Sequence, residues 1–393
     1  MKLKQSPDDF HVTELTRRTC GSGPFAFYSL EKTGWTTPDA IAAVRRRWDI
    51  ADARRISFGG LKDRHAVTRQ HFTIYRGPAR NLSHHGVSVA FLGMTDAPFS
   101  SRDIAGNRFR ITIRDLPARE ARAASGRVPA LIAHGVPNYF DDQRFGSTDG
   151  GEFIARLLIL GRFEEALKLA LTQPYEYDKA SVRDEKASLA GLWGRWPELK
   201  AVLPRGHARS LIDYLTGHPS DFRGVIERLR PELQGLYLSA YQSFLWNRML
   251  AALITQVVPG ERLRTFRLKL GPVPTPPTLT AEEASKLGVD LPLPSARVQL
   301  PPNSPWRKLI DNALADQGFT LPEMKVPGVR RPFFSRGDRP AWVVPSGVSA
   351  EVAGDERHAG KRRLNLVFDL PRGSYATIVV KQLTQTDAYP AAP

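Results

Sequence analysis

Phe58-Gly59-Gly60-Leu61-Lys62-Asp63-Arg64-His65-Ala66-Val67-Thr68-Arg69-Gln70 is a glycine pair opening into a carboxylate set among cations. Gly59 and Gly60 permit backbone angles, or close approaches of other groups, that a side chain would block. Asp63 sits between Lys62 and Arg64, whose charges favour its ionised form. An ionised carboxylate just after a flexible turn can attack an electrophilic carbon or act as a base. The residues alone leave a second reading open, since Gly-Gly followed by Lys-Asp is also ordinary turn chemistry.

The composition narrows the partners. At 393 residues the chain has room for two domains, or for one with a large insertion, and a hydrophobic content of 41% supports packed cores. Lys and Arg number 56 against 40 acidic residues, a net charge of +16 that points to a polyanion, nucleic acid ahead of a membrane surface. No basic amphipathic helix stands out, and no apolar run approaches the roughly 20 residues that span a bilayer. The opening Met1 to Phe10 lacks the apolar core of a secretory signal, and Cys20, the single cysteine, excludes an internal disulfide. The expectation is a soluble, cytoplasmic protein, monomeric by default.

Strand patterns dominate the first part. Phe10 to Leu15 alternates, and Phe25 to Leu30 does so again after the turn Gly21-Ser22-Gly23-Pro24. Thr37 before Pro38 and Asp39 reads as a helix N-cap, with Ile41, Val44 and Trp48 on one face and Arg45, Arg46 and Arg47 largely outside it. That arginine run suits a solvated face or an RNA phosphate contact, and the net charge favours the second. Phe72 and Ile74 mark another strand, and Val87, Val89 and Phe91 a further one. In Arg108-Phe109-Arg110-Ile111-Thr112-Ile113-Arg114, period 2 buries the apolar residues and turns Arg108, Arg110 and Arg114 outward.

A second rich segment is Val136-Pro137-Asn138-Tyr139-Phe140-Asp141-Asp142-Gln143-Arg144-Phe145-Gly146. Phe140 suits stacking on a base and Asn138 suits hydrogen bonding to its polar edge, which is how an extruded nucleotide is held. Core packing for the aromatics and a turn at Pro137-Asn138 are the competing reading. From Glu152 onward apolar residues recur at helical spacing, and a long helix with a core-facing aromatic stripe begins near Leu233 and runs toward Val257. Prolines from Pro272 to Pro305 make the next region a poor place for regular structure, with a short helix expected from Trp306 to Ala315. Strand patterns return at Trp342-Val343-Val344 and Leu364 to Leu370, followed by Gly373-Ser374-Tyr375-Ala376-Thr377.

The usual signatures of dinucleotide binding, nucleotide hydrolysis, serine esterases and zinc proteases are absent from the sequence. A cysteine zinc site within the chain is excluded by Cys20 standing alone. Neither a cofactor nor a metal is expected.

Gly60 to Gln70 resembles the G-x-K-D-x-x-A-x-T-x-Q signature of the TruD family of pseudouridine synthases. Four further stretches resemble the family in its order. Lys4 to Phe10 is similar to its K-x-x-P-x-D-F opening, and Val136 to Gly146 to V-P-N-Y-F-G-x-Q-R-F-G, with Asp141 where glycine is usual. Leu238 to Asn247 is similar to the family's L-S-A-x-x-S-x-L-x-N helix. Phe368 to Leu383 is similar to its F-x-L-P-x-G-S-[FY]-A-T ending, with Lys381-Gln382-Leu383 replacing a basic-acidic-leucine triplet.

The resemblance implies an α+β fold. A catalytic domain of mixed, largely antiparallel sheet, residues 1–151 and 340–393, would be interrupted by a mainly helical insertion, 152–339. It implies isomerisation of uridine to pseudouridine in RNA, at position 13 of tRNA, without cofactor. Asp63 matches the family's catalytic aspartate. Phe10, Asn138, Phe140 and Tyr375 match positions that contact the target nucleotide, and Lys4 matches a lysine that holds the aspartate ionised, a role Lys62 could share. Two other readings compete: an RNA-binding protein that keeps the fold without turnover, and a nuclease or glycosidase pairing Asp63 with Asp141 or Asp142.

Overall fold

Apolar–polar alternation in the two outer parts of the chain builds one broad sheet. The structure, a computed structural model, describes residues 1–148, 151–175, 178–329, 333–385 and 387–388. Strands β1 (Lys2–Leu3), β2 (Phe10–Thr16), β3 (Phe25–Thr33), β4 (Ile56–Phe58), β5 (Val67–Tyr75), β6 (Leu82–His84), β7 (Val87–Thr95) and β8 (Ile104–Leu116) join two late strands, Ser346–Gly354 and Arg362–Pro371. Their order is Ser346–Gly354, Arg362–Pro371, β8, β2, β5, β3, β7, β6, with β1 added on β8 and β4 on β5. Every pairing is antiparallel except β2 with β5. The fold is α+β, with a mixed and largely antiparallel main sheet and a central helical region.

The one parallel pair matters most for function. In a parallel pair the segments leading into the two strands lie at the same end of the sheet. His11 is level with Val67, so the residues just before Phe10 are brought beside those just before Val67. The helix α1 (Thr37–Arg47) packs Ile41 and Val44 on one face of the sheet, against Tyr28, Leu30, Phe72, Ile74, Val87 and Val89.

Two expectations fail here for physical reasons. The N-cap of α1 is Thr36, whose hydroxyl accepts from the Asp39 N–H, while Thr37 lies inside the helix and is buried. Arg114 does not face solvent, because the turn at 355–356 and the segment before β2 cover that end of the strand. Its guanidinium is buried among Asp9 at 2.7 Å, Asp355 at 3.1 Å and Glu356 at 2.9 Å. Arg108 is paired with Asp369 at 2.8 Å, so of the three arginines it is Arg110 that is exposed and, among the described residues, has no acidic partner at ion-pair range.

The chain divides into two compact units, Met1–Val136 with Val343–Thr386, and Pro137–Trp342 joined by the strand Asp387–Ala388. The second unit is centred on the helix Pro231–Val257, whose Leu238, Tyr241, Leu245, Trp246, Met249, Leu250 and Ile254 are buried. The aromatic stripe is therefore core, as its spacing suggested. The proline-rich region is more regular than expected: it holds the strand Gly271–Thr275, the helix Ala281–Leu287 and the strand Asp290–Pro292. Pro272 and Pro274 are accommodated because their strand lies at the edge of its sheet, where a missing N–H costs no ladder bond. Among the described residues no helix is long and apolar enough to cross a membrane.

Candidate active site

The loop between β4 and β5 is fixed by side chains that bond its backbone. Gln70 Nε2 donates to Gly60 O at 3.1 Å, and the Lys62 N–H donates to Thr37 Oγ1 at 3.0 Å. Thr37 Oγ1 donates in turn to Gln70 Oε1 at 2.8 Å, which ties both clamps together in a buried setting. The displaced cap residue thus has a different task, holding the loop. Of the glycine pair, Gly59 is required by space, since a Cβ there would come within 2.6 Å of Ile104 Cδ1 and 2.9 Å of Ser100 O. A Cβ on Gly60 would meet nothing within 4 Å.

Asp63 is presented by this loop with 27% of its side chain exposed. One carboxylate oxygen takes the Lys4 ammonium and the other accepts the His65 N–H at 3.0 Å. Burial alone would raise its pKa, but the Lys4 hydrogen bond and the His65 N–H outweigh it and hold the carboxyl below its ordinary 3.8. Asp63 is ionised at neutral pH. The parallel pairing explains the contact, because Lys4 precedes β2 while Asp63 precedes β5. Lys4 has φ 57, a left-handed backbone that costs a non-glycine residue about 1–2 kcal/mol. Its ammonium also lies 4.2 Å from the centroid of the Phe10 ring, so Lys4, Phe10 and Asp63 form one contact group.

Lys62 points elsewhere. Neighbouring side chains diverge, and its ammonium lies 3.3 Å from Glu14, whose side chain has no exposure, and donates to Asn107. Glu14 also accepts the His71 N–H at 2.9 Å and lies 3.2 Å from His71 Nδ1. Burial opposes its charge, yet His71 and Lys62 keep it below the usual 4.5. Tyr375, half-buried, is the N-cap residue of the helix Ala376–Thr384, after a strand whose last residue, Pro371, is level with Gly106 and Leu15.

Within the second unit, Asn138 and Phe140 are both buried, 3% and 7% exposed. Asn138 Nδ2 donates to Pro340 O at 2.9 Å, and Arg339 donates to Asn138 O at 2.7 Å and to Asn138 Oδ1 at 2.9 Å. The same guanidinium lies 4.0 Å from the centroid of the Phe140 ring, and Trp246 meets that ring edge-on at 5.4 Å. Asn247 holds the backbone of Phe140 at both ends, accepting its N–H at 2.9 Å and donating to its carbonyl at 2.8 Å. Asp142 Oδ1 accepts the Lys269 N–H at 2.7 Å.

Two residues of these sites escaped the sequence reading. Arg339 lies 201 positions from Asn138, and nothing local marks it. Lys32 did carry a signal: it continues the inward phase of Ala26, Tyr28 and Leu30 in β3 and is 1% exposed. Among the described residues no cluster of His, Cys, Asp and Glu is arranged to hold a metal ion.

Comparison with known proteins gives the family. The model of the tRNA pseudouridine synthase D (TruD) family matches residues 1–383. The "probable tRNA pseudouridine synthase D 1" of Methanococcus maripaludis is 28% identical over 391 residues, covering 98% of this chain and 99% of its own. The tRNA pseudouridine synthase D of Aquifex aeolicus is 28% identical over 399 residues, covering 98% and 99%. The crystal structure of the "putative tRNA pseudouridine synthase D (TruD)" from Methanosarcina mazei superimposes with a TM-score of 0.68 at 26% identity, covering 97% of this chain and 93% of that one. With a match that runs through nearly the whole sequence, the chain belongs to the TruD family of tRNA pseudouridine synthases, enzymes that isomerise uridine.

Proposed function

We propose that this tRNA pseudouridine synthase acts on uridine 13 of tRNA, with Asp63 as the nucleophile or base and no cofactor. The observation that carries the reading is a part-exposed carboxylate, kept ionised by Lys4, on a loop whose backbone is clamped by Thr37 and Gln70. The reaction breaks the bond between uracil N1 and ribose C1′, turns the base, and forms a bond from C5 to C1′; the C5 proton leaves and N1 takes up a proton, so the change is an isomerisation. It is redox-neutral and transfers no phosphoryl group. What it requires is an anionic electron pair held beside the target nucleotide, which Asp63 supplies.

The target uridine must be unstacked at a cost of a few kcal/mol. Contact with Tyr375 and Phe140 would return part of that, as base–aromatic stacking contributes roughly 1–3 kcal/mol. Phe10 would border the same nucleotide through its place beside Lys4. Asn138 and Phe140 match family positions that contact the nucleotide, and the Arg339 guanidinium engages both of them.

The test uses purified protein and a tRNA transcript, without added metal or nucleotide. Pseudouridine is expected at position 13 and nowhere in a transcript with cytidine there. Asp63→Asn is expected to lower kcat by at least about a thousandfold with tRNA affinity changed no more than a few-fold. Full turnover by Asp63→Asn would overturn the assignment. With 5-fluorouridine at position 13, a retarded band on a denaturing gel is expected for the wild type and not for the variant, while cleaved RNA or free uracil would favour a hydrolase.

A further inference from the structure

Lys32 is a buried cation without a carboxylate at ion-pair range among the described residues. Its ammonium donates instead to three backbone carbonyls: Trp35 O at 2.8 Å, Lys62 O at 3.2 Å and Asp63 O at 2.8 Å. An ammonium has three donors, so the set is complete. Burying a charge without an acidic partner costs stability, a cost that hydrogen bonds to three carbonyls offset. Of the three carbonyls, two belong to consecutive residues of the Asp63 loop, and the third lies beside the start of α1.

We infer that Lys32 is the positioning residue of the active site, fixing through these carbonyls the backbone that presents the Asp63 carboxylate to the target uridine. The inference rests on the reading of Asp63 as the reactive group. Lys32 and Thr37, close in sequence, then grip the loop on its carbonyl and its N–H sides. The acceptors are backbone carbonyls, so Lys32 does not compete with Lys4 for the carboxylate oxygens of Asp63.

This clamp titrates within reach of experiment. Burial pushes the Lys32 ammonium down to about 8, opposed by the charge of Asp63 and reinforced by that of Lys62, the charged groups that face it. Above that pH the neutral amine has one donor fewer than it has carbonyls to hold. The wild-type kcat is expected to fall on an alkaline limb near pH 8, with KM for tRNA flat across it.

Lys32→Met is the direct test, measured by single-turnover conversion of tRNA between pH 6.5 and 9. A displaced reactive group commonly costs about a hundredfold in rate, so kcat is expected to drop by about that factor, with KM within threefold and the alkaline limb gone. Lys32→Gln, which keeps two donors without the charge, is expected to fall between the two. A Lys32→Met enzyme with wild-type kcat overturns the inference, as does a wild-type kcat flat from pH 7 to 9 should the variants fail to fold. Asp63→Asn is run beside them: activity in that variant would sink the Asp63 reading itself, whereas a dead Asp63→Asn with an active Lys32→Met removes only the role of Lys32.

Discussion

The Asp63 loop and the Asn138–Phe140 segment are each held by side chains that bond the backbone, yet they leave opposite things exposed. In the first, Thr37, Gln70 and Lys32 grip N–H and carbonyl groups from behind, and the Asp63 carboxylate stays 27% exposed. In the second, Arg339 and Asn247 grip the backbone and Arg339 also takes the Asn138 amide oxygen and a face of the Phe140 ring, so both side chains are buried. The difference teaches that polar residues in a family signature fall into two kinds: some keep an exposed functional group, as Asp63 does, and others have theirs engaged by the chain, as Asn138 does, and spacing alone does not say which.

Each region contains one cation whose removal tests the contrast. Lys4→Met leaves Asp63 with burial and without its ammonium, so the carboxyl is expected to rise toward its ordinary 3.8. The sign follows from the causes: the lysine lowers the pKa, and what remains after its loss is chiefly the burial that raises it. The acid limb of kcat/KM should therefore move to higher pH, and kcat at neutral pH should fall by about a hundredfold, as loss of one preorganised electrostatic partner commonly costs. The melting temperature should hardly change, because part-exposed ion pairs contribute no more than about 1 kcal/mol. pH–rate profiles and thermal melts of the two proteins check both halves.

Arg339→Met should behave the other way round. It strands Asn138 O and Oδ1 in a buried setting without their donor, at a cost of about 1–3 kcal/mol in stability. Denaturant unfolding followed by tryptophan fluorescence, to which Trp246, faced by Arg339 at 5.0 Å, contributes, measures it. Conversion of uridine by the surviving folded protein should stay within about tenfold of wild type if Asn138 and Phe140 chiefly hold the unit together. A loss of kcat as large as that of Lys4→Met, with unchanged stability, would erase the distinction between the regions and place Arg339 on the substrate path.

How much of this the sequence disclosed follows from how local each contact is. The strands were legible because alternation is a property of adjacent residues: Phe109, Ile111 and Ile113 are buried as their spacing requires. Arg114 shares the outward phase of Arg108 and Arg110, but residues 9, 355 and 356 fold over it, and no pattern within β8 encodes that cover. The stretch around Asp63 was conspicuous, and its resemblance supplied Lys4 as a partner 59 residues away, which local charge could not choose over Lys62. Lys32 went unread because the alternation of β3 was followed only to Leu30, two residues short of a lysine in the same buried phase. Arg339 was beyond reach, since its role is set by the contact of Asn138 with Pro340 and Ala341, far along the chain.

The smallest expected effect is the sharpest check on the two kinds of polar residue. Thr68 stands in the same signature as Asp63, is level with Lys32 in the β3–β5 pairing, and is fully buried. Its hydroxyl has no hydrogen-bond partner among the described residues, in contrast to the Asn138 amide, which is engaged at both its nitrogen and its oxygen. A buried hydroxyl that bonds nothing forfeits its hydration without return, so Thr68→Val, which keeps the branched shape, should leave stability unchanged or raise it by up to about 1 kcal/mol. Its kcat should stay within about twofold of wild type, since volume and backbone are conserved. A fall of tenfold or more, with the melting temperature unmoved, would mean that the hydroxyl finds its partner only when tRNA is bound, and Thr68 would then belong with Asp63 among the residues turned to the substrate.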